Sequence, residues 1–467
     1  VPASRSLDPN PERTVSFISA KAVRIDLFSL ATPQMRAFHV TWLAFFVCFF
    51  AWFAVAPLMP VIKGEFGFTK DQIANMNIAA VAVTILVRLV IGPLSDRYGP
   101  RMTYTALLAF GAIPVIGIAF AQSYEGFLFF RLCIGAIGAS FVITQYHTSV
   151  MFAPNVVGTA NAAAAGWGNA GGGVTQTVMP LLLAAIVTLG AEQAFGWRIA
   201  LIVPGVLMLV MSFVYWRYTQ DTPEGNVIDL RRRGIDIDAG KASGWASFKR
   251  ACRNYRVWLL FVTYAACFGV EITIHNLAAI YYVDTFQLDL KTAGLAAGSF
   301  GLLALFARAL GGYVSDRVAS RFGLDGRTLL LFALILGEGA GLIAWALSDS
   351  LAVAVTTMLV FGLFTHMACG ATYSLVPFID RGALGGVAGI IGAGGNVGAV
   401  AAGFLLKGAV DTRTGLLMLG VFVAVSAVCA IAVRFSAEHK LREAELYEKA
   451  IAERNATPTP ATALAQA

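Results

Sequence analysis

With 467 residues, 58% of them hydrophobic and only 13% charged, the chain carries about half the charge of a soluble domain (~25% charged), so most of its surface is expected to face lipid. A net charge of +7 would point to nucleic acid in a soluble protein; here the cations cluster in loops, which topology explains, and no nucleic-acid partner is expected. The six cysteines form no CxxC pair, the five histidines are scattered, and neither HExxH nor a P-loop occurs, so no enzymatic activity, metal, cofactor or drive by ATP is expected.

In chain order, a polar segment (1–37) that does not read as a signal peptide precedes apolar runs of about 20 residues, the length that spans a bilayer. Twelve are predicted, near 38–60, 72–94, 101–121, 124–150, 157–189, 198–218, 257–284, 292–314, 328–347, 350–376, 384–408 and 412–434. Their continuous apolar character excludes barrel strands, whose pattern alternates. The expected fold is therefore an all-α integral membrane protein of 12 transmembrane helices in two six-helix pseudo-symmetric halves, 38–218 and 257–434. A polar connection (219–256) separates the halves, and a tail (435–467) follows, in which EHKLREAELYEKAIAER reads as a helical continuation. The basic loops at 97–101, 219–256 and 317–327 all follow even-numbered runs, so the positive-inside rule places them and both termini in the cytoplasm.

The halves repeat one another. In TILVRLVIGPLSDRYG (84–99), Arg88 interrupts the second run eight residues before Asp96; in FARALGGYVSDRVASR (306–321), Arg308 interrupts the eighth at the same distance from Asp316. The two arginines are offset by 220 positions. A second pair, GWGNAGGGVTQ (166–176) and GAGGNVGAVAAG (392–403), sets Asn169 against Asn396 at an offset of 227. Duplicated halves with a midplane site between them are the architecture of secondary transporters. An arginine within a membrane helix is costly and reads as functional. Arg88 lies about 12 Å along its helix from Asp96 at ~1.5 Å per residue, deep in the bilayer. A guanidinium is planar, permanently charged and presents parallel donors, so one from each half could clamp a small flat anion. The glycines read as close helix packing; packing does not explain an asparagine in each cluster, which can donate to an anion.

Several of these stretches resemble a known family. G92-P-L-S-D-R-Y-G99 and the degraded copy G312-Y-V-S-D-R317 resemble the loop signature of the major facilitator superfamily, as do DTPEG (221–225) and FFRLCIGAIG (129–138). The Gly-Asn runs resemble the two nitrate signatures of its nitrate/nitrite porter family, and segment 21–42 is similar to the branch holding bacterial nitrate/proton symporters and plant high-affinity nitrate transporters. The resemblance implies a monomeric carrier of nitrate and also of nitrite in a bacterial inner membrane, with nitrate held by Arg88, Arg308, Asn169 and Asn396. It further implies Phe141 and an aromatic of the tenth run, Phe364 in preference to Phe361, as ring contacts, Tyr264 as a donor, and Asp96, Arg97, Asp316 and Arg317 as a gating loop motif. Arg131 is expected to be a structural pair.

A site with two cations must shed charge to reorient. Exchange of nitrate for nitrite would do so; so would proton symport through Glu271 and His275, an i, i+4 pair on the seventh run. Symport is the preferred expectation; antiport, a carrier of a larger organic anion and a non-transporting sensor are the alternatives. His147 and His366 are expected to pack or bond to carbonyls, and Glu338 to lie off the path.

Overall fold

The computed structural model describes residues 21–152, 156–235, 244–380, 383–408, 410–443 and 445. Among them, ten stretches are long and apolar enough to cross a bilayer. One of these, Leu290–Ala346, turns at Gly323, where φ 59° and ψ −147° break the helix, and it therefore holds both the eighth and ninth spans. That backbone region is essentially reserved for glycine. The second span, Lys70–Tyr98, is also of bilayer length but carries Asn75, Asn77 and Arg88. Twelve spans result, as the apolar runs predict.

Caps set where spans begin. Thr69 and Gln72 form a capping box, with bonds of 3.2 and 2.9 Å, that starts the second span. Ser123, Asp289, Ser350 and Asp411 cap the fourth, eighth, tenth and twelfth. Two of the interrupted spans bear on the site. The fourth passes through a 3-10 stretch, Gly135–Ala139, between Tyr124–Ile134 and Ser140–Met151. The eighth is broken at Leu303 between Leu290–Leu302 and Ala304. Both interruptions lie at the level of the site described below, and the first is a common use of a 3-10 turn.

The connection carries two short helices, Val227–Arg232 and Gly244–Cys252. The tail is not a continuation of the twelfth span: the chain leaves the helix at 433–436 before a new helical stretch at 437–443, which Lys440 ties to Asp325 at 2.5 Å. The rest of the predicted tail helix, beyond 445, lies outside the described residues. Ahead of the first span, Ala22 N–H donates to the Met151 carbonyl at 3.0 Å, seating segment 21–32 against the end of the fourth span.

The two halves meet where the second span packs on the eleventh and the fifth on the eighth. Glycines make the second contact possible, because a Cβ on Gly173 would strike the Gly301 backbone. At the end opposite the 219–256 connection the halves are clasped. Lys63 pairs with Asp284 at 2.8 Å, Asp71 accepts from Gly408 N–H at 2.6 Å, and Lys70 donates to the Val410 carbonyl.

At the other end, Asp221 of DTPEG occupies the start of the third span. It accepts from the backbone N–H of Arg101 at 2.7 Å and of Val227 at 2.9 Å. Burial pushes this carboxyl up, while the two backbone donors and Arg101 pull it back. Gly99 makes room: a Cβ there would collide with the Asp221 carboxylate, and its φ of 84° is left-handed. We predict that Asp221→Leu, which orphans these donors, destabilises the fold by about 1–3 kcal/mol, read as a lower melting temperature in detergent.

Candidate functional site

Arg88 lies on the second span and reaches across the interface. Its Nη1 donates to the Gly392 carbonyl of the eleventh span at 3.1 Å, and its Nη2 to the Gly138 carbonyl of the fourth at 3.4 Å. Gly138 belongs to the 3-10 stretch, where the backbone departs from regular α-helical bonding. The guanidinium carbon lies 5.6 Å from the centre of the Phe141 ring, within cation–π range. Its Nε is buried without a partner.

Arg308, 7% exposed, is held by the other signature helix. With its amide oxygen turned toward the guanidinium, Asn169 of the fifth span accepts from Nη2 at 2.8 Å and from Nε and Nη1 at 3.1 Å. Nη2 is also ion-paired with Oε2 of the fully buried Glu271. The Phe268 ring lies 5.3 Å from the guanidinium carbon. Each arginine is therefore gripped by the Gly-Asn helix of the opposite half, a crossing that sequence offsets do not reveal.

A ladder of rings joins the two. Phe141 meets Tyr373 at 6.3 Å, Tyr373 meets Tyr264 at 5.1 Å, and Tyr264 stacks on Phe268 at 5.2 Å. Arg88, Arg308, Asn169, Phe141 and Tyr264 thus come together. Asn396 lies one turn beyond Gly392, fully buried, with neither amide atom partnered, a donor and acceptor in reserve.

Two expectations fail. Phe364 is on the wrong face of the tenth span, packed against Gly337 of the ninth; Phe361 packs on Phe300 and Trp345. The ring on Arg308 is Phe268, four residues after Tyr264. His275 does not pair with Glu271, although i, i+4 spacing puts them on one side of the helix. Its ring sits 4.8 Å from Phe53 and 5.7 Å from Phe300, beside Gly172, with Nε2 unpartnered. The imidazole at Glu271 is His366, whose Nδ1 is 3.4 Å from Oε2 and whose Nε2 is 3.1 Å from the Phe300 carbonyl oxygen. His366 thus bonds a carbonyl as expected and also reaches the carboxylate.

The loop motif stands apart from this cluster. Asp316 pairs with Arg327 of the ninth span at 2.7 Å, and Arg317 lies over the Tyr313 ring. Arg97 lies over Tyr98 while its carbonyl accepts from Arg231; the Asp96 side chain is outside the described part of the structure. His147 bonds Tyr215 at 2.6 Å and the Gln220 carbonyl at 2.8 Å. Glu338 is fully buried beside Cys267 and Thr365, with neither oxygen hydrogen-bonded. Arg131 is a strut: Nη1 donates to the Trp52 carbonyl at 3.1 Å, Nη2 to Asn77 at 3.2 Å and to Asn276, across the interface, at 3.0 Å. A cavity of about 330 Å³ toward the clasped end is bounded by Lys63, Asn77, Asn276 and Asp284, not by the arginine cluster.

Comparison with known proteins agrees with this architecture. Residues 41–379 match the family described as the Major Facilitator Superfamily. The high affinity nitrate transporter 2.5 of Arabidopsis thaliana is 41% identical over 88% of this chain and 82% of its own length. The nitrate/nitrite transporter NrtP of Nostoc punctiforme is 29% identical over 80% and 87%. The fold matches the crystal structure of a bacterial homolog of the human lysosomal transporter Spinster, inward-facing and unoccupied, with a TM-score of 0.69 and 14% identity over 89% of this chain and 99% of that one.

The amide oxygen of Asn169 accepts from all three guanidinium nitrogens of a buried cation. Asn169→Leu should therefore cost about 1–3 kcal/mol of stability, measurable by thermal unfolding in detergent.

Proposed function

This chain belongs to the nitrate/nitrite porter family of the major facilitator superfamily, a family of membrane transporters and not of enzymes, and from that premise we propose that it imports nitrate, and accepts nitrite, by alternating access coupled to protons. The observation that carries the reading is the crossed pair of buried arginines with aromatic rings between them. Nitrate is flat, monovalent and weakly hydrated. A guanidinium can offer it two parallel donors and an aromatic face can cover its plane, so the two arginines hold it from opposite sides with Tyr264 and Asn396 as further donors. Bulk is disfavoured: a Cβ added at Gly392 would already meet the Tyr373 hydroxyl at 2.9 Å.

Charge decides the coupling. Arg88, Arg308 and an ionised Glu271 sum to +1. Glu271 occupies Arg308, so nitrate must displace it or find it protonated. Protonation releases the guanidinium at the moment nitrate needs it, and the cargo of one nitrate and one proton is neutral. A second reading, nitrate/nitrite exchange, draws on the same ion pair: a Glu271 that never lets go is a fixed counter-ion. The basic loops support a cytoplasmic-membrane carrier with both termini inside, and we take it to act as a monomer. Clasped at the opposite end, the halves would then open toward the cytoplasm and rock about the arginines. The glycine-packed fifth and eleventh spans are the sliding surfaces.

In proteoliposomes, an inward acid gradient should drive labelled nitrate accumulation without internal nitrite. Strict dependence on internal nitrite would replace symport by exchange, and stronger competition by an organic acid than by nitrate would reject the substrate. Arg88→Lys and Arg308→Lys should each raise the half-saturating nitrate concentration at least about tenfold, as expected for a lost charged hydrogen bond of about 1.5–3 kcal/mol. Phe268→Ala should do likewise, whereas Phe364→Leu should change it less than about twofold. Glu271→Gln should abolish gradient-driven accumulation.

A further inference from the structure

We propose that the transported proton resides between His366 Nδ1 and Glu271 Oε2; this rests on the nitrate/proton reading above and assigns the proton a place. The argument begins with tautomers. His366 Nε2 is 3.1 Å from the Phe300 carbonyl oxygen. A carbonyl can only accept, so Nε2 carries a hydrogen. A neutral imidazole has one such hydrogen, which leaves Nδ1 as a bare lone pair. Nδ1 makes no hydrogen bond and lies 3.4 Å from Glu271 Oε2, in a place where both side chains are fully buried. Two acceptors this close and this deeply buried repel unless they share a proton, held as imidazolium or as carboxylic acid.

The surroundings keep this arrangement in place. The Phe300 ring lies 5.1 Å from the His366 ring, and its carbonyl belongs to the last turn before the break at Leu303. The imidazole is thus pinned to the one part of the eighth span that departs from regular helix, five residues before Arg308. Every other ionisable group near Glu271 is less suited to the proton. Arg308, from the eighth span, is a permanent cation. Cys369, from the tenth, offers a weak thiol at 3.7 Å. On Glu271's own span, Cys267 makes a thiol contact with the Tyr264 carbonyl, and His275 is turned to Phe53. Glu338, from the ninth span, has no hydrogen-bonded path to Glu271.

The pair also explains how a proton controls the anion. Taken from water on the outer side, the proton makes His366 a cation that shares Glu271 with Arg308. Arg308 then holds the carboxylate less tightly and turns a donor edge to nitrate. After reorientation nitrate leaves, the proton departs to the inner side, and Glu271 closes on Arg308 again. The site charge is +1 both empty and loaded with one proton and one nitrate, so both reorientations carry the same charge through the membrane. The stoichiometry of this pair is one proton per nitrate.

The test uses the full-length protein purified in detergent, in weak buffer with a pH indicator. Adding sodium nitrate to the wild type should draw up to one proton from solution per nitrate bound, and the dissociation constant should fall as pH is lowered, by up to about tenfold per unit, the limit for one linked proton. In His366→Gln the amide still donates to the Phe300 carbonyl but holds no proton, so proton uptake per bound nitrate should drop to near zero and the pH dependence should flatten. Unchanged uptake per bound nitrate in His366→Gln overturns the proposal. So does a wild-type dissociation constant that does not vary with pH, a result that needs no variant to fold. A wild type that binds no nitrate at any pH would instead reject the substrate assignment on which the proposal rests.

Discussion

Two guanidinium groups within a bilayer set the terms for everything around them. An arginine at the centre of a membrane helix costs about 3 kcal/mol or more, and neither Arg88 nor Arg308 escapes to an interface. Each is relieved by the opposite half, Arg88 by the Gly392 carbonyl and Arg308 by Asn169. The close approach that this demands is what the glycines permit. On the fifth span, a Cβ at Gly173 would run into the Gly301 backbone of the eighth and one at Gly166 would lie 3.0 Å from the Ala304 carbonyl oxygen; on the eleventh, one at Gly403 would run into Ile78 of the second. The signature helices are therefore thin because they must come close, and they come close because the arginines must be met.

The halves solve the same problem with different chemistry. Arg88 is met by two carbonyls and a ring, with no acid among its bonded partners. Arg308 has a carboxylate, an amide and a ring, with an imidazole behind the carboxylate. The duplicated frame thus carries an arginine met by neutral groups on one side and one met by titratable groups on the other. On the proposed reading, this asymmetry is where a coupled carrier differs from a simple exchanger.

Much of this was legible in the sequence. Span positions, the six-and-six division, the paired arginines and the paired Gly-Asn runs all follow from hydropathy and offsets. What escaped is the set of contacts between helices. Periodicity ranks neighbours along one helix, so Glu271 was matched with His275, one turn away. The actual imidazole, His366, comes from another span, 95 positions on. Phe364 was chosen by residue type in a helix whose relevant face runs through His366, Cys369 and Tyr373; two residues before His366 is nearly the opposite side. Phe268 carried a readable sign, standing four after Tyr264 and three before Glu271 on the seventh span. Asp221 was noticed as part of a motif, but its task at the third span's start depends on a fold that brings 221 to 101.

The Arg131 strut has a consequence of its own. It joins the fourth span to the seventh near the clasped end, and its partners are two amides and a carbonyl. None of these titrates, and no anion has to be pulled from a cation when the strut parts. Its strength is accordingly the same in acid and at neutrality, and separating it moves no paired charge through the membrane field. A strut fastened in this way is blind to acidity, so that on the proposed reading sensing protons and holding the clasped end shut are duties divided between different helices.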